Sequence, residues 1–387
     1  MSKRAAITGI GCVSPLGYGL SETVAALRTG RDGIRAVDLF STAAFRAKTA
    51  GLLPPGLDER AAAVTPDAVK WPRSARMLIL AVHEALAARP DFVPDTVIAA
   101  TTSGGMDFGE MFYRNWPATM NSRHARSFVR RYVPHQPALD VLGHFGFHPP
   151  VRVVSNACAS GTNALGLGAR LVRTGRAQRV LVVGFDAMAE MVFAGFDALQ
   201  ASTPEMCRPF DRGRSGLALG EAAAAFLIEA DASEPLAILT GYGCANDNFH
   251  LTKPEPGGAG PRLSMQRALG DAGRSAAEID YINAHGTGTP FNDASEAAAI
   301  REVCPNAPVS STKGLTGHAL GAAGAIEAVF CILAMREGFL PPNINLRDPE
   351  PGLNLVANQA REVRPQTVLS NSFGFGGSNA TIVLEAA

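Results

Sequence analysis

Thr8-Gly9-Ile10-Gly11-Cys12, near the amino end, returns as Thr240-Gly241-Tyr242-Gly243-Cys244. Three further echoes follow in the same order. Val97-Ile98-Ala99-Ala100-Thr101 resembles Tyr281-Ile282-Asn283-Ala284-His285, Asn163-Ala164-Leu165-Gly166 matches His318-Ala319-Leu320-Gly321, and Leu227-Ile228-Glu229-Ala230 matches Val383-Leu384-Glu385-Ala386. The separation shrinks along the chain, as expected for a duplicated unit whose first copy carries insertions before its central helix. Chance similarity among Gly/Ala-rich segments accounts less well for four echoes in one order. The reading divides the chain into halves at 1–235 and 236–387.

Within each half, β-rich runs alternate with helical stretches, the pattern of an α/β protein. Two helices stand apart: Ala159 to Arg173 and Gly317 to Met335. Both are rich in Gly and Ala, poor in charge and apolar on nearly every side. Glycine weakens a helix, so its use points to close packing, and a helix apolar all round is a buried one. Their equivalent places in the two halves predict that they pack on each other between two sheets, in the layer order α-β-α-β-α.

The bulk composition narrows the class. The 387 residues are 47% apolar with 40 glycines, enough for a large, tightly packed core. Lys+Arg and Asp+Glu are both 35, so no global charge recruits nucleic acid or a membrane surface; an electrostatic partner needs a local patch. Met1 to Val13 lacks the apolar run of a signal peptide. The apolar stretch near Ala319 to Met335 carries Glu327 and is too short to span a bilayer. Six scattered cysteines without a CxxC pair argue for a reduced, cytoplasmic protein and against zinc or dithiol chemistry.

One cysteine has a distinctive context. Val153-Val154-Ser155-Asn156-Ala157-Cys158-Ala159-Ser160-Gly161 is a β-branched run that breaks into a small-residue helix. Cys158 is therefore expected at a strand-to-helix turn, its sulfur facing the positive helix end that favours a thiolate nucleophile. Three other segments sit where strands end or helices begin, the usual place for functional groups: Asn283-Ala284-His285-Gly286-Thr287-Gly288-Thr289-Pro290, Ser311-Thr312-Lys313-Gly314-Leu315-Thr316-Gly317-His318, and Asn371-Ser372-Phe373-Gly374-Phe375-Gly376-Gly377-Ser378-Asn379.

These motifs resemble the β-ketoacyl-[acyl carrier protein] synthases of the thiolase superfamily, of the decarboxylating, elongating type. The resemblance runs from the Thr8-Gly9 strand to Leu384 and is strongest after Ser155. It rests on Ala157-Cys158-Ala159-Ser160-Gly161, His285-Gly286-Thr287-Gly288-Thr289 and Gly317-His318-Ala319-Leu320-Gly321-Ala322-Ala323-Gly324. It implies a thiolase fold of two βαβαβαββ halves, a Cys158-His285-His318 triad, and an oxyanion hole from the backbone N–H groups of Cys158 and Phe375. Initiating synthases carry Cys-His-Asn instead. The implied reaction loads an acyl group onto Cys158, decarboxylates a malonyl-carrier, and condenses the two. No metal or bound cofactor is implied, because the phosphopantetheine arrives on the carrier protein.

By the same resemblance Lys313 biases the charge around His318, and Glu327 orients the neighbourhood. Thr287 and Thr289 bind the pantetheine arm, Phe375 gates the acyl site, and Phe196 walls the acyl pocket. Ser103, in Thr102-Ser103-Gly104-Gly105, is a small residue where some relatives place a bulky one against the acyl chain. Basic side chains at Arg73 and Arg76, and at Arg126, Arg130 and Arg131, form the expected docking patch for an acidic acyl carrier. A homodimer is expected, with a heterodimer alongside a related subunit as the other arrangement. Two other functions compete: a non-catalytic partner subunit, disfavoured by the intact triad, and a Cys-dependent thioester hydrolase, which leaves the second histidine without a role. Chain length and pathway, fatty acid or a polyene or polyketide-like chain, are open at this stage.

Overall fold

In the computed structural model, residues 3–114 and 123–387 are described, and the side chains of 123–127 lie outside that set. The first half runs β1 (Ala5–Ser14), α1 (Arg73–Ala87), β2 (Thr96–Ala100), α2 (Gln136–His144), β3 (Val151–Val154), α3 (Ser160–Arg173), β4 (Arg179–Asp186) and β5 (Ala222–Ala230). The second repeats the order: β6 (Ala237–Asn246), α4 (Ala259–Ala272), β7 (Tyr281–Asn283), α5 (Pro290–Val303), β8 (Pro308–Ser310), α6 (Ala323–Glu337), β9 (Thr367–Gly374) and β10 (Ser378–Ala386). The sheet orders correspond strand for strand, β3-β2-β4-β5-β1 and β8-β7-β9-β10-β6. This is the duplicated thiolase fold.

The opening motif shows why its residues recur. In β1 the register against β5 slips between Ile7 and Gly9, and in β10 against β6 it slips at Val383/Leu384, opposite Thr240. Thr8 and Thr240 are thus the extra residues of equivalent β-bulges. The glycines that follow lie under a helix. A Cβ on Gly9 or Gly11 would meet Ala85 O at 2.7 Å or Ala81 O at 2.1 Å. Gly241 and Gly243 make the same approach to α4, at 2.3 Å from Ala268 O and 2.1 Å from Ser264 O. Only glycine lets a helix backbone come so near a strand.

Both sheets are covered on both faces, so their central strands are buried along most of their length. Leu181 and Val183 face the α1/α2 layer, while Val180 and Val182 face the centre. Val383 faces the α4/α5 layer, while Ile382 and Leu384 face the centre. Between the sheets lie α3 and α6. Their amino ends touch backbone to backbone: a Cβ on Gly161 would sit 2.5 Å from Ala325 N, and one on Gly324 2.7 Å from Thr162 N. The close packing inferred from glycine content is located there.

Three expectations change. The two sheets share an edge, because β1 and β6 pair at Ala6–Ile238 and Ile7–Ala237, joining all ten strands in one hydrogen-bonded path. The third echo does not join equivalent elements: Asn163–Gly166 lies inside α3, while His318–Gly321 precedes α6. There Gly317 (φ 69) and Leu320 (φ 52) break the helix, and His318 pairs its backbone with Ala218 O and Gly220 N. The insertions also do not all precede the central helix, since 187–221 connects β4 to β5 while 375–377 suffices between β9 and β10.

Candidate active site

The segment from β3 to α3 is a sharp elbow. Ala157 has φ 56, an unfavourable conformation for a residue with a Cβ. Ser160 holds it: its hydroxyl accepts from Asn156 N–H at 2.9 Å and donates to Ala157 O at 2.6 Å. Cys158, 6% exposed, is thereby presented at the start of α3. The turn after β9 lies against it, with Gly374 so close that a Cβ would stand 3.1 Å from Cys158 N. The backbone N–H groups of Phe375 and of Cys158 itself are directed at the sulfur. The expected resting thiolate is not favoured: burial pushes the thiol up to about 11, outweighing Lys313 and the two N–H groups.

Two imidazoles face this sulfur. One ligand atom each from Cys158, His285 and His318 lie within 4.8 Å of one another. The rings of His285 and His318 meet edge to face, with centroids 5.2 Å apart. Each histidine is 1% exposed, and burial, reinforced by the Lys313 charge, holds both well below the usual imidazole range. Both are neutral near pH 7. Lys313 Nζ lies 3.3 Å from His285 Nδ1 and pairs with Glu327. A charged ammonium only donates, so Nδ1 accepts and the proton sits on Nε2, free to donate into the site. Lys313 therefore bonds to His285 while its charge also lowers His318, the influence expected from the sequence. Among the described residues, neither ring nitrogen of His318 has a hydrogen-bond partner.

Buried carboxylates that the sequence reading missed hold the loops. Glu296 accepts from the His285 and Gly286 N–H groups at 2.9 and 2.7 Å, and burial pushes its carboxyl up to about 7. Asp293 accepts from Gly288 and Phe210 N–H groups. Asp186 ties the loop after β2, through Thr101, Thr102 and Ser103, to Gly321 ahead of α6. The readable signal was two acids three apart near the start of a helix whose neighbours are small.

A cavity of about 240 Å³ opens above the triad. Phe196, Thr287, Thr289 and Phe375 line it along with Cys158 and both histidines. The Thr287 and Thr289 hydroxyls are 2.9 Å apart, and the Phe196 and Phe375 rings stack at 5.6 Å. Gly376 and Gly377, at φ 77 and 74, make the turn behind Phe375. Lys313 and Glu327 stand behind the histidines, outside the lining. Ser103 does not reach the cavity, because its hydroxyl donates to Asp186 at 2.7 Å.

The basic patch is largely consumed internally. Arg73 donates from Nε and Nη2 to the Glu221 carboxylate at 2.8 and 2.6 Å, with its side chain 16% exposed. Burial alone would raise Glu221, but Arg73 together with the Leu53 and Met188 N–H groups holds the carboxyl below its usual range. Such a bidentate, buried pair is a structural clamp, so Arg73 is not a docking cation. Arg76 pairs with Asp58. Arg131 donates to Lys70 O and lies 3.7 Å from Asp140. Arg130 is exposed on the helix Arg123–Tyr132. The side chain of Arg126 lies outside the described residues.

Family comparison agrees with this geometry. Residues 2–233 match the β-ketoacyl synthase N-terminal domain and residues 236–347 its C-terminal domain. The chain belongs to the β-ketoacyl synthase family. It is 34% identical to 3-oxoacyl-[acyl-carrier-protein] synthase 2 of Staphylococcus aureus (strain COL), covering 99% of this chain and 98% of that one. The synthase of the same name from Coxiella burnetii is also 34% identical at the same coverage. Among solved structures, the ishigamide ketosynthase/chain length factor superposes over 100% of both chains with a TM-score of 0.91 at 30% identity. The ketosynthase ApeO of Xenorhabdus doucetiae, in complex with its chain length factor ApeC, covers 100% of this chain and 98% of its own, with a TM-score of 0.85 at 29% identity.

Proposed function

We propose that the chain is a decarboxylating β-ketoacyl-[acyl carrier protein] synthase in which Cys158, His285 and His318 carry the chemistry. The observation that supports this best is the convergence of one sulfur and two neutral imidazoles in one cavity, with two backbone N–H groups aimed at the sulfur.

In the first half-reaction, Cys158 Sγ attacks the thioester carbonyl of an acyl-carrier. The S–C bond forms as the carrier's thiolate departs. The thiol proton passes through the unpartnered His318 ring to that leaving sulfur. Charge developing on the carbonyl oxygen is met by the Cys158 and Phe375 N–H groups. In the second, malonyl-carrier enters and loses carbon dioxide. The electron pair left on the α-carbon delocalises to the thioester oxygen, where N–H groups of His285 and His318 donate. Neutral donors suit this step: they stabilise the enolate without protonating the carbon that must react. That carbon attacks acyl-Cys158, and collapse of the tetrahedral intermediate releases β-ketoacyl-carrier and the cysteine. Lys313 and Glu327 keep His285 in the donating tautomer.

The Thr287 and Thr289 hydroxyls would accept the amides of the pantetheine arm, and Phe375 stacked on Phe196 would swing to admit the acyl chain. Phosphopantetheine comes with the carrier, so the reaction needs no resident cofactor or metal. The presence of all three reactive side chains argues against a non-catalytic subunit, although pairing with a related subunit remains compatible with the fold. The six unpaired cysteines support a reducing, cytoplasmic setting. Intact mass after incubation with acyl-carrier tests the assignment. A single acyl adduct that is lost in Cys158→Ala is expected; no adduct on the wild type, or rapid turnover to free acid, would refute it.

A further inference from the structure

The reaction cavity has a buried end and an exposed end. Cys158, His285 and His318 are at most 6% exposed, whereas Phe291 and Leu199, which line the same cavity, are each 57% exposed. Of the described residues lining it, Lys253 is the one lysine or arginine. It is exposed and makes no ion pair among the described residues. Its ammonium is nonetheless placed: Nζ stands 4.6 Å from the centroid of the Phe291 ring, a cation–π contact that orders an otherwise flexible side chain. Among its described lining residues the one carboxylate, Asp247, is turned to its own loop, accepting from Phe249 and Glu255 N–H groups. It leaves the lysine's charge uncompensated.

An arm whose thioester reaches Cys158 and whose amides pass Thr287 and Thr289 has its far end at this rim. For phosphopantetheine, that far end is a phosphodiester. We propose that Lys253, held by Phe291, is the anion subsite that takes the phosphate of the carrier's phosphopantetheine arm. This rests on the condensing function proposed above and adds a residue to it. A lysine binds phosphate as a point charge, with no fixed two-pronged geometry, which suits a group that must enter and leave in each turnover.

Truncated substrates isolate the phosphate. Cys158 acylation would be followed with acyl-pantetheine, acyl-phosphopantetheine and acyl-coenzyme A, using the wild type, Lys253→Ala and Lys253→Arg. The wild type is expected to favour the phosphorylated thioester through KM. That preference should fall about fivefold in Lys253→Ala, the scale of an exposed ion pair, and survive in Lys253→Arg. Each preference is a ratio within one variant, so a fraction of misfolded protein cancels. An unchanged ratio in Lys253→Ala would overturn the subsite. A loss confined to acyl-coenzyme A would assign the lysine to nucleotide phosphates and overturn the carrier assignment. A wild type that loads none of the three would bring down the condensing function, and the subsite with it.

Discussion

The two halves share one scaffold and differ where the chemistry is. In the first half, residues 155–159 carry β3 straight into α3, and the elbow presents Cys158. In the second, residues 311–322 intervene between β8 and α6, and that longer path places Lys313 and His318. The last connections differ in the opposite sense, 187–221 against 375–377, and they meet across the site as Phe196 stacked on Phe375. Duplication supplied bulges, glycine contacts and sheet order twice. In the proposed mechanism the reactive groups sit on departures at topologically equivalent connections, where loops vary while the core stays fixed.

The sharpest break in the comparison is chemical. A thiol raised by burial to about 11 is mostly protonated at neutral pH, and its thiolate fraction grows about tenfold per pH unit. Alkylation of Cys158 by iodoacetamide, followed by mass, is therefore expected to accelerate steadily from pH 6 to 9. A plateau near pH 7 would mean that the helix end and Lys313 win over burial.

The shared scaffold can be probed by matched substitutions. Gly9→Ala and Gly241→Ala force the same clash in each half, as do Gly161→Ala and Gly324→Ala where the central helices touch. Each is expected to cost about 1–3 kcal/mol, as overpacking does, in chemical denaturation. Equal losses within a pair sharpen the equivalence; a neutral member in either pair breaks it.

A smaller effect separates the acid-anchored loop of the second half. Burial raises Glu296 from 4.5 to about 7, so the folded state holds its proton more tightly than the unfolded chain does. Its stabilising contribution is full below about pH 4.5 and is lost as pH rises through 7. Glu296→Gln should flatten that part of the pH–Tm profile, and an unaltered slope would assign it elsewhere.

Much of this was legible in the chain. The Thr-Gly-x-Gly-Cys echo marked two equivalent strands, although the reason for its glycines, a helix backbone overhead, appears only in three dimensions. Cys158, His285, His318, Thr287, Thr289, Phe196 and Phe375 all line one cavity. The start of α6 was misread because a run apolar on every side has no helical phase to mark where it begins. Arg73 looked like a surface cation because its partner, Glu221, is far away in sequence. The influence of Lys313 on His318 was legible, whereas its hydrogen bond to His285, 28 residues earlier in the chain, appears only in the fold.

The central claim is that the two halves divide the work, sulfur from one and enolate stabilisation from the other. Carbon dioxide release from labelled malonyl-carrier by enzyme already acylated on Cys158 tests it directly. In His285→Ala and in His318→Ala the acyl adduct should persist while release falls about 10²–10³-fold, the scale of a lost transition-state donor. Release at the wild-type rate from either variant would contradict the account.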